Sequence, residues 1–404
     1  MMNDKSAIKT LWKFIVFTLV IIVAVFTVEN INGRFWLNDF KVYYLAAKAL
    51  LTGQQVYGVP FGLSSGFYKY SPLTLFFVFP YCLVPFEIAR IIHFFILAAV
   101  IISLFFVIRE ILKDYLFGKI SKNENLLLSF AFVCVLIHFV KEFHLGNINV
   151  VLLLLLCLCL YSLLKSRFVS AGILFALVVL TKPFFLILIL PLLFRKKWRT
   201  LASLVGTMII AFIIPAIFFG FSKSIFWHTE WIRTMFDHNA NYPGHNSILY
   251  LIQYYINPKV PNEFQYLIIA AGGLLFFVIH YFNRLFELKN NSTKQVRNAG
   301  LIMEWFILIA ILPNLVKTDS EHFLCSLPLI MLIIYYLSFR RQIILIALFI
   351  IIIFFYGANS TDLLGPKLSD TLFNMGLIGV SNLFIIAFAL IVYYKDIRKA
   401  RFRI

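Results

Sequence analysis

Apolar runs that return every few dozen residues limit this chain more than any other feature. Phe14–Val28, Ile91–Ile108, Asn149–Leu164 and Ile343–Gly357 each lack Asp, Glu, Lys and Arg. A helix crosses the hydrocarbon core of a bilayer with about 20 mostly apolar residues, and there it must satisfy its own backbone hydrogen bonds. A water-soluble fold has no room for so many such segments. Of the 404 residues, 62% are hydrophobic and 13% charged, whereas soluble domains carry about 25% charged residues. The chain reads as an all-α polytopic membrane protein.

Apolar runs and the polar breaks between them define about twelve crossings (range 10–13). They cover roughly residues 11–29, 87–108, 126–143, 147–164, 168–181, 184–194, 200–221, 264–283, 299–316, 323–338, 342–357 and 373–394. The fifth and sixth are short and read as a broken or partly re-entrant hairpin around Thr181-Lys182-Pro183. Leu73–Val84, bracketed by Pro72 and Pro85 and interrupted by Pro80, reads as a helix in the outer interface. Lys5, Lys9 and Lys13 precede Phe14–Val28 as in a signal peptide, but no small-x-small cleavage site follows, so an uncleaved first span is expected.

Charge orients the spans. The net charge is +18, and nucleic-acid binding is one source of such an excess. Cytoplasmic loops rich in Lys and Arg explain it better. With both termini inside, the inner side holds 24 basic and 6 acidic residues, which is the whole +18. The outer side holds 12 basic and 11 acidic residues, with Glu304 set apart inside its span. The chain is expected to be a single domain over 1–404 at the cell membrane, with outer loops 30–86 and 222–263 forming its active face. The five cysteines, Cys82, Cys134, Cys157, Cys159 and Cys325, form no CxxC, and four lie in or beside apolar runs, as small hydrophobes do.

The outer loops carry the chemistry-bearing residues. Asn38-Asp39-Phe40-Lys41-Val42-Tyr43-Tyr44 opens a helical pattern that ends at Gly53 and predicts a helix lying on the membrane surface. Asp39 suits either a helix cap or a general base. Tyr43, Tyr57 and Tyr70 suit either interface anchors or a sugar-stacking surface. His144-Leu145-Gly146-Asn147-Ile148-Asn149 forms a turn between two spans. Lys182-Pro183 ends the fifth, where a lysine either snorkels to water or meets a lipid phosphate. His228, Glu230, Asp237, His238 and His245 lack metal-binding spacing, so no metal is expected. Lys317-Thr318-Asp319-Ser320-Glu321-His322 gathers three kinds of ionisable group in one outer turn.

In order and spacing these stretches resemble glycosyltransferase family 87, polytopic enzymes of the GT-C superfamily. Four segments carry the resemblance: Asn38–Tyr44 followed by Gly53, Tyr57 and Tyr70-Ser71-Pro72-Leu73; Leu145–Asn149; Ala171-Gly172 through Lys182-Pro183 to Arg195–Arg199; and Gly244-His245-Asn246-Ser247-Ile248. The chain departs from the family where Asn147 and Asn246 stand in place of a frequent Gln, and where the late outer turn has only Glu321-His322.

The resemblance implies a GT-C-like fold and an inverting transfer of a hexose, mannose-like, from a polyprenyl-phosphate donor. The acceptor would be a cell-envelope glycan or glycolipid at the outer face. Asp39 would act as general base, and Lys182, His322 and His245 would bind the donor phosphate. Tyr43, Tyr57, Tyr70, His144, Asn147, Asn246 and Glu321 would bind substrate. No cofactor is predicted, and a divalent metal, though possible, is not indicated by any cluster. The rival reading is a multi-pass transporter or lipid-linked sugar flippase, which would concentrate polar residues at the midplane. A non-catalytic assembly subunit and an O-antigen-ligase-like enzyme come after it.

Overall fold

The computed structural model describes residues 4–62, 66–118, 123–241, 244–289, 294–357 and 360–399; the side chains of 4–10, 236–241, 289, 294 and 399 fall outside that description. Among the described residues the fold is helical, with one isolated bridge between Pro60 and Phe67. In chain order the helices begin with α1 (Asp4–Ile31), α2 (Asn38–Leu51), α3 (Pro72–Phe76), α4 (Phe86–Leu112), α5 (Glu124–Cys134) and α6 (Leu136–Leu145). Next come α7 (Asn149–Leu164), α8 (Phe168–Thr181), α9 (Ile189–Phe194), α10 (Trp198–Phe219), α11 (Phe221–Asn241), α12 (Ile248–Tyr255) and α13 (Phe264–Lys289). The chain ends with α14 (Lys294–Leu315), α15 (Leu327–Arg340), α16 (Ile343–Gly357), α17 (Thr361–Leu364), α18 (Pro366–Asn374) and α19 (Leu377–Lys395).

Among the described residues, seven helices are long and apolar enough to cross a membrane, or eight if the pair α5 and α6, bent by 60°, is one broken span. α7, α8, α16 and the segment Pro183–Phe194 are apolar but shorter. Each of the twelve expected segments is therefore helical, while length and composition qualify seven or eight of them as full crossings. Helices broken at a turn satisfy their freed backbone groups only where protein or water supplies partners, so such breaks mark sheltered places.

The chain divides into two compact units. One contains Ala24–Ser103 and Val140–Tyr242; the other contains Met1–Val23, Leu104–Phe139 and Pro243–Ile404. In the first, α8 packs on α7 and α10. A Cβ on Gly172 would lie 2.5 Å from the Thr200 carbonyl oxygen, so glycine is what lets α8 approach the α10 backbone. α2 is amphipathic, burying Phe40, Val42, Tyr43 and Tyr44 while Lys41 stays exposed. Leu73–Val84 forms two short helical turns, α3 and Phe79–Leu83, in keeping with its prolines.

In the second unit, α14 and the Ser320–Arg340 stretch are buried, with α13 and α19 packed on α14. Polar side chains tie these helices together. Asn382 Nδ2 donates to Asn314 Oδ1 (2.7 Å) and to the Ala310 carbonyl (2.7 Å). Ser326 donates to Asn382 Oδ1. Lipid gives helices no hydrophobic reason to associate, so hydrogen bonds and small residues hold such bundles.

Candidate active site

The first unit builds a continuous polar network around the head of α2. Leu37, in the left-handed region (φ 45°), occupies the cap position of α2 and makes no side-chain capping bond. Asp39 sits in the first turn, where the helix dipole favours a carboxylate. Asp39 is half-buried, and its Oδ2 accepts from Asn147 Nδ2 at 2.8 Å. Asn147 comes from the turn between α6 and α7. There Gly146 adopts φ +65°, and a Cβ at that position would lie 2.8 Å from Phe40 Cβ and 3.0 Å from Leu37 Cβ. Only glycine lets the turn sit this close to the start of α2. His93 Nε2 holds the Gly146 carbonyl at 3.0 Å, with its ring stacked on Phe40 at 4.1 Å.

The donors and acceptors assign themselves. Asn147 Oδ1 accepts from the Ile148 N–H (2.7 Å) and from the Tyr43 hydroxyl (3.3 Å), which turns the amide NH₂ toward Asp39. With Tyr43 donating to Asn147, the Tyr70 hydroxyl donates to Tyr43 at 3.0 Å. Burial first, then the neighbouring Tyr70 and Asp39, push the Tyr43 phenol well above its usual 10. Tyr57 stands behind, its hydroxyl donating to the Tyr70 carbonyl at 2.8 Å.

Lys182 approaches this network at Tyr70. It caps α8 in extended geometry before Pro183, and it is 7% exposed. Its ammonium donates to Asn149 Oδ1 at 2.5 Å and lies 5.8 Å from the Tyr70 ring centroid. The side chain thus turns into the protein instead of snorkelling to water. Asn149 Nδ2 donates in turn to Glu142 Oε1 at 2.6 Å, and the Val150 N–H donates to Glu142 Oε2 at 3.2 Å. Glu142 is fully buried. Sequence reasoning gave it no role; the signal was a carboxylate seven residues before Asn149, across a tight turn. His144 is occupied elsewhere, with Nδ1 2.8 Å from Glu29 Oε2.

The other expected residues belong to the second unit. His245 is sandwiched by Tyr250 and Phe373, with ring centroids at 4.9 and 4.7 Å, and burial lowers its pKa, so it offers a hydrogen bond more readily than a charge. Asn246 is buried, and its Oδ1 accepts from the Gly379 N–H at 3.1 Å, so its side chain ties the loop to α19. Glu321 and His322 are buried in a short 3₁₀ segment, Ser320–Ser326. With Asp319 they offer two carboxylates and an imidazole whose ligand atoms all lie within 4.8 Å of one another, a set that could hold a divalent ion. Of the residues first weighed as metal ligands, His228 donates from Nδ1 to the Ser224 carbonyl (2.8 Å), while Asp237 and His238 lie outside the described side chains.

The family model for glycosyltransferase family 87 matches residues 67–312, more than half of the chain. The chain belongs to glycosyltransferase family 87. No curated protein matches it. The family 87 match begins after Asp39, Tyr43 and Tyr57, and it includes Tyr70, Glu142, His144, Asn147, Lys182, His245 and Asn246. This family 87 protein is thus a membrane glycosyltransferase, and two hydrogen-bonded clusters, one holding the Asp39 carboxylate and one the buried Lys182 ammonium, meet where Lys182 lies 5.8 Å from the Tyr70 ring. A carboxylate can take a proton from a hydroxyl nucleophile, and an ammonium can stabilise an anionic leaving group.

Proposed function

We propose that this glycosyltransferase is of the GT-C type and transfers a hexose, mannose-like, from a polyprenyl-phosphate donor to a cell-envelope glycan or glycolipid. The reaction occurs at the outer face of the cell membrane, with both termini in the cytoplasm and outer loops 30–86 and 222–263 on the active side. The acceptor hydroxyl gives its proton to Asp39 as its oxygen bonds to the anomeric carbon. The bond from that carbon to the phosphate oxygen breaks, and polyprenyl phosphate leaves with the electron pair. A single displacement of this kind inverts the anomeric centre, through an oxocarbenium-like transition state.

In this reading Lys182 neutralises the departing phosphate, and Tyr43, Tyr70 and Asn147 order the substrate beside Asp39. Tyr57 and His144 hold the framework of that unit. In the second unit, His322 and His245 serve as donor-phosphate contacts and Glu321 and Asn246 as substrate contacts. The proposal draws on no cofactor. Its main support is the Asp39 carboxylate, half-exposed at the head of a surface helix and oriented by Asn147. Asp39→Asn keeps shape and most capping ability, so folding should hold. Transfer from polyprenyl-phosphate mannose to membrane acceptors should fall by about 10²–10⁴-fold, the usual worth of a general base. Near wild-type transfer by well-expressed Asp39→Asn would remove Asp39 from the chemistry.

A further inference from the structure

We infer that Glu142 is a positioning residue for the donor: its buried carboxyl group fixes the Asn149 amide, whose oxygen holds Lys182 in place for the phosphate. The inference rests on the reading that Lys182 meets the donor phosphate. Glu142 is fully buried, and a carboxylate in that setting needs strong partners. It takes them from Asn149 Nδ2 (2.6 Å) and the Val150 N–H (3.2 Å). An ammonium donates and never accepts. Asn149 Oδ1 must therefore face Lys182, 2.5 Å away, which leaves the Asn149 NH₂ directed at Glu142. An anchored lysine meets its ligand with less of the rotamer entropy that a free one would lose.

A plainer role competes with this one. The bond from Val150 resembles an end-cap for α7, and a cap would stabilise the helix without concern for Lys182. The two roles separate in kinetics. Glu142→Gln is nearly isosteric, but it has no charge, and it puts an NH₂ where one of the two carboxylate oxygens accepts from Asn149 or Val150. Partners standing behind a charged binding group, best documented at metal sites, cost about 10–100-fold in affinity when removed.

The test uses the full-length enzyme in detergent with polyprenyl-phosphate mannose as the donor probe, measuring donor KM and kcat separately. Glu142→Gln should raise donor KM by about tenfold or more with a smaller change in kcat. Adding Asn149→Asp to that variant moves the charge one residue along the relay, where the Gln amide can donate to it. The double variant should recover most of the lost donor affinity. A capping role predicts lower thermal stability, unchanged donor KM and no rescue, and that result overturns the inference. Should Glu142→Gln fail to fold, Asn149→Leu breaks the same relay, and an unchanged donor KM there is equally fatal. Lys182→Met is the control. If it leaves donor KM unchanged, the phosphate reading of Lys182 fails and the inference with it. If it raises donor KM while Glu142→Gln does not, only the role of Glu142 falls.

Discussion

Tyr43 shows how one side chain acquires its properties from its surroundings. Its hydroxyl sits between Asn147 and Tyr70, and burial keeps it protonated far above neutral pH. A raised pKa means that the neutral phenol is the only form across the physiological range. The bond to Asn147 is therefore present at every pH below the ordinary phenol value of about 10, and it weakens only as the pH rises through the still higher folded value. Tyr43→Phe removes one donor to Asn147, and a neutral hydrogen bond contributes about 0.5–1.5 kcal/mol. Transfer should fall by about 3- to 10-fold, by the same factor throughout about pH 6–9, where phenol and ring are both uncharged. A pH–rate profile comparing the two proteins checks this. A deficit that appeared only at one end of the range would mean that Tyr43 titrates in the reaction.

At the level of elements, the site depends on how closely the α6–α7 turn approaches the start of α2. Gly146 allows that approach, and His93 and Phe40 clamp it. Gly146→Ala meets two costs: a left-handed backbone, about 1–2 kcal/mol for a residue with Cβ, and a Cβ that collides with Phe40 and Leu37. Gly53, just past α2, shares the backbone requirement (φ +72°) but has nothing within 4 Å of a built Cβ. Gly53→Ala should therefore lose thermal stability while retaining transfer. Gly146→Ala should lose transfer beyond its loss of stability, because the Asp39–Asn147 bond is displaced. Equal behaviour of the two variants, in unfolding and in transfer assays, would show that the turn does not set the carboxylate.

For the whole molecule, the orientation in the membrane decides which face meets the donor. The 24 basic residues assigned to the inner side predict cytoplasmic termini and an external α2. The native cysteines suit a labelling experiment, since Cys82 is half-buried and the other four are buried. Thr52→Cys, at the exposed end of α2, should react with an impermeant maleimide on intact cells. Arg341→Cys, in an exposed break between α15 and α16, should react only after permeabilisation. The reverse pattern would place α2 in the cytoplasm and end the outer-face proposal.

Much of the architecture was legible in the residues themselves. Hydrophobic runs announce helices because an apolar segment in lipid has no other way to satisfy its backbone, and α2 began at Asn38 as its apolar spacing required. The broken segment at Lys182-Pro183 was equally plain, since proline cannot continue the hydrogen-bond ladder of α8. Asp39, Tyr43, Tyr70, Asn147 and Lys182 were nominated separately, from different loops, and the fold joined them. Their joining was not legible, because Asn147 meets Asp39 across 108 positions and Lys182 meets Asn149 across 33. Glu142 was passed over for a related reason. A lone carboxylate at the end of the 126–143 segment belongs to no motif, and only tertiary packing gave it Asn149 and Val150 as partners. Local sequence determines where the backbone must be helical and where it must break; which polar groups end up facing one another depends on which helices come to lie side by side, and that is decided by the packing of the whole chain.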